Sequence, residues 1–102
     1  MAKTPEAQSI IIRRKRILRY LSSMYPTPIQ LGTLYNSIIY IDPDYDFPLF
    51  QKDIRYLGDK GYIEFIDEKI GGADEYRKKV VGLTPDGKEV AEGTDFDKAL
   101  EI

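Results

Sequence analysis

The sequence predicts an α+β domain made of three helices, a β-hairpin and a fourth helix. Three segments before residue 61 repeat apolar residues every three to four positions, as amphipathic helices do. Two segments between residues 62 and 83 have strand composition on either side of a Gly71-Gly72 turn. The 102 residues suffice for one modest core. We therefore expect a single domain over residues 1–102, with a core at about 9–93 and terminal extensions at 1–8 and 94–102.

The first helix is predicted from about Ser9 to Tyr25. It ends there because the residue before a proline, here Pro26, avoids helical geometry. The predicted buried stripe is Ile10, Ile17, Leu21 and Met24, with Ile11, Leu18 and Tyr25 beside it. Arg13, Lys15, Arg16 and Arg19 lie largely outside that stripe.

The second helix is predicted to begin at Thr27-Pro28-Ile29-Gln30. Thr27 would cap it, Pro28 would take the first helical position, and Gln30 would complete a capping box. Its predicted buried residues are Leu31, Leu34, Tyr35 and Ile38, with Ile41 as a further candidate, and it ends by Ile41-Asp42-Pro43.

The third helix is predicted from about Phe47 to Lys60, and a hairpin follows it directly. Asp46 can cap the helix, and Gly61 suits the left-handed residue after a helix end. Phe50, Ile54 and Leu57 form its buried face. Strands are then predicted over Tyr62–Lys69 and Tyr76–Leu83.

A fourth helix is predicted to start at Thr84-Pro85, because a capping side chain is followed there by a proline. Val90 and Ala91 face inward, and Gly93 ends the helix.

Composition narrows the classes of function. There is no cysteine and no histidine, so the commonest general base and the commonest transition-metal ligands are missing. An enzyme is therefore not expected, and neither is a cofactor. The sequence shows neither a membrane span nor the apolar core of a signal peptide, which predicts a cytoplasmic protein. The net charge is −2, but basic residues concentrate in 1–25 and acidic residues in 86–102, so a basic face remains possible.

Two segments carry a resemblance to a known superfamily. They are Ile54-Arg55-Tyr56-Leu57-Gly58-Asp59-Lys60-Gly61-Tyr62-Ile63 and the stretch Gly82-Leu83-Thr84-Pro85-Asp86-Gly87 with its continuation to Gly93. Both resemble segments of winged helix-turn-helix regulators of the PadR and MarR type, and the spacing is similar to that of small phage-encoded winged-helix proteins. The resemblance implies a winged helix-turn-helix fold whose third helix enters the major groove of double-stranded DNA while the hairpin, or wing, lies along the backbone. It also implies a transcriptional regulator.

Three groups of residues are candidates for binding DNA. The outer face of the third helix would read base edges, the wing would contact phosphates, and the first helix would add phosphate contacts. The candidates are, in that order, Gln51, Lys52, Arg55 and Tyr56; Arg77, Lys78 and Lys79; and Arg13 and Arg16. Each group also has an ordinary interpretation: a solvated helix face, an edge strand protected by lysines, or arginines paired with the acidic C-terminal segment.

Partners and metals complete the expectations. We expect a homodimer formed by the terminal helices, where Phe96, Leu100 and Ile102 offer apolar surface. The negative charge and the acidic 42–46 loop favour an alternative, a winged-helix module that binds protein instead of DNA. That loop has the alternating carboxylates of a calcium site, but Phe47 stands where a glycine is needed, so no metal is expected.

Overall fold

The structure, a computed structural model, describes residues 5–66 and 73–93, with side chains from residue 9 and, after the gap, from residue 76. Within these ranges the chain is α+β, with four α-helices and a three-stranded antiparallel sheet. The elements in order are α1 (Pro5–Met24), β1 (Ile29–Gln30), α2 (Leu31–Ile39), α3 (Phe47–Asp59), β2 (Ile63–Ile66), a 3-10 helix (Ala73–Lys78), β3 (Val80–Leu83) and α4 (Pro85–Glu92).

The start of α2 differs from the prediction. Ile29–Gln30 is a strand, because it pairs with β3 in the register Ile29 to Val81. Gln30 is extended and its side chain makes no capping bond, while the Leu31 N–H donates to the carbonyl of Lys79 at 2.8 Å. Pairing with a distant strand therefore overrides the local capping signal. The sheet order is β1-β3-β2, with β3 in the centre.

The second hairpin strand is shorter than predicted. Tyr76–Lys78 belongs to the 3-10 helix, and only Val80–Leu83 is extended. The Lys79 N–H closes a turn onto the carbonyl of Tyr76, whose ring packs edge-on against Phe47 at 5.6 Å. This packing holds the backbone in a tight turn where composition predicts a strand. The Gly71-Gly72 turn and the predicted strand beyond residue 66 lie outside the described residues.

The core lies where α1, α2 and α3 meet the sheet. On α1 the buried apolar residues are Ile11, Ile17, Leu18 and Leu21, whereas Ile10 is half-buried and Met24 is exposed. The predicted stripe was therefore wrong by a small rotation of the helix. The reason is Arg14, which is buried on the same face of α1 and turns that face toward α3.

The ends of α3 and α4 follow the predicted chemistry. The Asp46 side chain accepts a hydrogen bond from the Leu49 N–H at 2.9 Å, which confirms the cap of α3. Gly61 has φ +78°, the left-handed conformation predicted for it. Thr84 caps α4 by accepting from the Gly87 N–H at 3.0 Å.

None of the helices in the described part of the chain is both long and apolar enough to cross a membrane. The predicted dimer residues Phe96, Leu100 and Ile102 fall outside the described residues.

Candidate functional site

The outer side of α3 carries three of the four side chains predicted to read base edges. Lys52 and Arg55 are exposed, and Gln51 is half-buried. They lie on this side because Phe50 and Ile54 occupy the buried side of the helix. Helical spacing alone thus presents two cations and one amide to solvent.

These three side chains share one groove. It runs between α3 and β2, has a volume of about 770 Å³, and is called the α3–β2 groove below. Its lining includes Gln51, Lys52, Arg55, Ile63, Phe65 and Tyr76. Asp59 and Glu64 also line it, so the groove holds both signs of charge over a partly apolar floor.

Tyr76 belongs to the 3-10 helix before β3, and its side chain lines the α3–β2 groove together with residues of α3. Burial raises the pKa of its hydroxyl, and the charge of Arg55 partly offsets that rise. The phenol is therefore a neutral hydrogen-bond donor near neutral pH. The Lys79 Nζ lies 5.8 Å from the Tyr76 ring centroid and 5.6 Å from that of Phe65. Cations from α3 and from the segment before β3 thus flank the same aromatic ring.

The two remaining wing candidates lie beside this ring. Arg77 is exposed, and its guanidinium carbon stands 4.2 Å from the Phe47 ring centroid and 5.4 Å from that of Tyr35. Cation–π contact with these rings limits the motion of the arginine. Lys78 is exposed next to it.

Tyr56 lies on the other flank of α3, away from the groove lining. Its ring sits under the guanidinium of Arg14, with 3.7 Å from the Arg14 carbon to the ring centroid. The Lys60 Nζ is 5.7 Å from the same centroid. The structure therefore places Tyr56 against α1 and does not bring it together with Gln51 and Arg55.

The α1 candidates are also separated from the groove. The Nε of Arg13 lies 3.3 Å from a carboxylate oxygen of Asp53, and the Arg13 side chain is only 16% exposed. Arg16 forms a looser ion pair with Asp42, at 3.8 Å. Both arginines thus form ion pairs that link α1 to other segments of the chain.

Asp53 is a charged residue of α3 that the sequence analysis did not single out. It is 1% exposed and accepts hydrogen bonds from the Arg14 Nε at 3.0 Å, from Arg13, and from the Tyr45 hydroxyl. One signal could have found it: residue 53 is three positions after Phe50 and four before Leu57, within the buried stripe. Arg14 has the same relation to Ile11 and Leu18. A charge inside each of two apolar stripes indicates that the two charges pair.

The Asp53 cluster is dry and positively charged overall, because one carboxylate meets two guanidinium groups. Burial raises the pKa of Tyr45, and the Asp53 carboxylate raises it further. The Arg14 Nη1 has no hydrogen-bond partner among the described residues. The cluster joins α1, α3 and the connection before α3, and its members Arg13 and Tyr45 also line a surface hollow.

The acidic 42–46 loop is used within the fold. Asp46 caps α3, and Asp42 contacts Arg16. In the described ranges, no group of three or more potential metal-ligating side chains comes together.

Comparisons with known proteins add nothing to the geometry: no family model matches the chain, and no curated protein or solved structure resembles it significantly.

Proposed function

We propose that this chain is a winged-helix DNA-binding protein that acts as a transcriptional regulator. In this proposal α3 enters the major groove of duplex DNA, and the segment that contains Arg77, Lys78 and Lys79 lies on the adjacent phosphates. The element order and the sheet order β1-β3-β2 are compatible with a winged-helix layout.

One observation carries the proposal: cations from two distant parts of the sequence adjoin a single groove. Lys52 and Arg55 line it from α3, and Lys79 stands over the ring of Tyr76, which also lines it. Gln51 lies among them. A helix face with an amide and two cations, bordered by further cations, suits a surface that reads bases and holds phosphates.

The proposal gives each group a distinct task. Arg55 and Lys52 suit guanine edges and Gln51 suits adenine, at about 1–3 kcal/mol of discrimination for each good bidentate contact. Arg77, Lys78 and Lys79 supply sequence-independent affinity that falls with salt. Because Arg13 and Arg16 pair with carboxylates of the chain, they are not part of the proposed surface.

The test is the affinity of the protein for random-sequence duplex DNA, measured by fluorescence anisotropy between about 50 and 200 mM salt. We expect the binding constant to fall steeply with salt, and each phosphate contact removed to reduce the logarithmic slope by about 0.9. The double variant Lys52→Ala/Arg55→Ala should weaken binding roughly tenfold or more at the low end of that salt range. The same total loss of charge at Lys60 and Lys88, which do not line the groove, is the matched control.

A second candidate function is a module that binds an extended peptide in the same groove. Asp59 and Glu64 favour it, because two carboxylates beside an apolar floor repel phosphates but suit a peptide of mixed charge. The double variant Asp59→Asn/Glu64→Gln separates the two functions. If the groove binds DNA, removing these charges strengthens binding. If neither this variant nor the unmodified chain binds DNA at about 50 mM salt, the DNA proposal is wrong.

A further inference from the structure

Large apolar side chains are exposed together at the end of α2. Tyr40 is 90% exposed and Ile41 is 65% exposed, so the buried position predicted for Ile41 was wrong, because α2 already ends at Ile39. Ile12 on α1 and Leu49 on α3 are exposed beside them. These four residues, called the Ile41 face below, account for most of the large hydrophobic side chains that are exposed in the described ranges.

The Ile41 face combines a projecting side chain with a hollow. The hollow has a volume of about 430 Å³ and lies between α1, the connection before α3 and the first turn of α3. Ile12, Ile41 and Leu49 line it. Ile41 also lines a second, shallower hollow with Tyr40, so it stands on the ridge between the two. The rest of the first hollow's lining is polar or charged: Ser9, Arg13, Arg16, Asp42, Asp44 and the phenol of Tyr45. An apolar ridge beside a hollow with both apolar and charged walls can pack against a copy of itself.

Charged groups at the rim are arranged in the same self-complementary way. Arg16 lines the hollow, its side chain is 34% exposed, and its ion pair with Asp42 is long, at 3.8 Å. Asp44 lines the same hollow, is exposed, and has no ion-pair partner among the described residues. Each copy therefore offers one weakly held cation and one unpaired carboxylate around an apolar centre.

We infer that the Ile41 face is a self-association surface whose occupant is the same face of a second copy of this chain. A two-fold axis places Ile41 of each copy against the hollow of the other and Arg16 of each copy opposite Asp44 of the other. Two-fold contacts are reciprocal, so both ion pairs form together. The patch is small for a permanent interface, which corresponds to a dissociation constant on the order of micromolar.

The surface is distinct from the α3–β2 groove. Leu49 lies on the flank of α3 that faces α1, whereas Gln51 and Arg55 line the flank that faces β2. Association through the Ile41 face therefore leaves the groove open. The inference does not rest on the proposed function, and its test contains no DNA.

The first measurement is sedimentation velocity of the full chain from about 1 µM to several hundred µM. We expect the unmodified chain to pass from monomer to dimer across this range. Ile41→Glu should remain monomeric at every concentration, whereas Met24→Glu, which alters an exposed residue that lines neither hollow, should still dimerise. A monomeric unmodified chain, or equal behaviour of the two variants, would overturn the inference.

The second measurement uses reversed charges and does not depend on the stability of any one variant. Arg16→Glu and Asp44→Lys each place like charges across the two-fold axis, so each variant alone should dimerise at least tenfold more weakly. An equimolar mixture of the two restores both opposite-charge pairs and should form a heterodimer about as tightly as the unmodified chain. A folding defect cannot be repaired by mixing, so formation of the heterodimer excludes misfolding as the cause of the weaker self-association. If both variants are folded by circular dichroism and still form no heterodimer, this face is not the interface.

Discussion

Asp53 holds α1 against α3 through a carboxylate that is almost completely buried. Its partners Arg13 and Arg14 are adjacent in sequence, and its third partner, Tyr45, precedes the cap of α3. The position follows from geometry, since residue 53 lies in the buried stripe of α3 and Arg14 lies in that of α1. A buried charge is tolerated only where opposite charge and hydrogen bonds surround it, so the residues of this cluster depend on one another.

Replacing Asp53 by Asn should destabilise the fold by about 3–5 kcal/mol, because it leaves the buried guanidinium of Arg14 without a counter-charge. Urea unfolding followed by circular dichroism measures the change in midpoint. Asp59→Asn is the matched control, since it removes the same charge from an exposed position of α3. We expect the control to change stability by less than about 0.5 kcal/mol. Equal effects of the two substitutions would show that the Asp53 cluster is not important for stability.

Because of Tyr45, we expect the free energy of unfolding to fall at alkaline pH. Its pKa in the folded chain is raised above the ordinary value of 10.0 by burial and by the Asp53 carboxylate. A raised pKa in the folded state means that the neutral phenol stabilises the fold fully below pH 10 and that this contribution is lost as the pH rises further. Each additional pH unit costs up to about 1.4 kcal/mol for one such group.

Tyr45→Phe should therefore flatten the loss of stability above about pH 10, even if it costs about 1 kcal/mol at neutral pH through the lost hydrogen bond. The free energy of unfolding is measured from urea curves between about pH 8 and pH 11. Tyr76→Phe serves for comparison, because burial raises the pKa of Tyr76 as well but no carboxylate contributes. Parallel curves for the unmodified chain and Tyr45→Phe would contradict the role given to Tyr45.

At the scale of elements, the first turn of α4 is fastened to the turn that follows α3. The Thr84 N–H donates to the Tyr62 carbonyl, and the Thr84 hydroxyl donates to the Gly61 carbonyl at 2.6 Å. A Cβ at Gly87 would stand 1.9 Å from the Tyr62 carbonyl oxygen, so only glycine fits there. The motif Leu83-Thr84-Pro85-Asp86-Gly87 is thus explained by packing: it caps a helix and lets the helix approach a backbone closely.

Gly87→Ala should destabilise the fold by about 3 kcal/mol or more, since the clash is with backbone and exceeds the gain of roughly 1 kcal/mol from better helix propensity.

Gly58→Ala is the opposite case. A Cβ at Gly58, in the last turn of α3, meets only the Phe65 ring, at 3.9 Å. We expect this variant to be more stable by about 0.5–1 kcal/mol. Thermal unfolding of both variants measures these changes in stability. A Gly87→Ala variant that is more stable than the unmodified chain would refute the close contact.

At the scale of the whole molecule, α3 separates two surfaces of different character. One flank, toward β2, holds the charged groove proposed to bind DNA, and the other, toward α1, leads to the Ile41 face. A dimer formed through the Ile41 face would carry two grooves. Two grooves related by a two-fold axis match two half-sites on DNA, and binding to both at once raises the apparent affinity above that of one chain. A net charge of −2 is compatible with this arrangement, because local charge and not the total governs contact with phosphates.

Local signals in the sequence correctly predicted most helices and strands but not all of the residues at which they begin and end. The caps at Asp46 and Thr84 and the left-handed Gly61 depend on neighbouring residues only, and all three are confirmed. The strand Ile29–Gln30 and the 3-10 turn at Tyr76 depend on partners some fifty and thirty residues away, so local chemistry favoured a helix and a strand there. The candidate site divides in the same way: helical spacing placed Lys52 and Arg55 outward, but their closeness to Lys79 was not predictable.

The sequence by itself determined the α+β class, the caps of α3 and α4, and the outward position of Lys52 and Arg55, because each follows from interactions within one or two helical turns. The tertiary structure alone decided that Asp53 is a buried counter-ion, that Arg13 and Arg16 pair within the chain, and that helix and wing cations meet around Tyr76. The physical reason is distance along the chain. Helical spacing places residue 53 in a buried stripe, but the partner of its charge is decided only when α1, more than thirty residues earlier, brings Arg14 to within 3.0 Å.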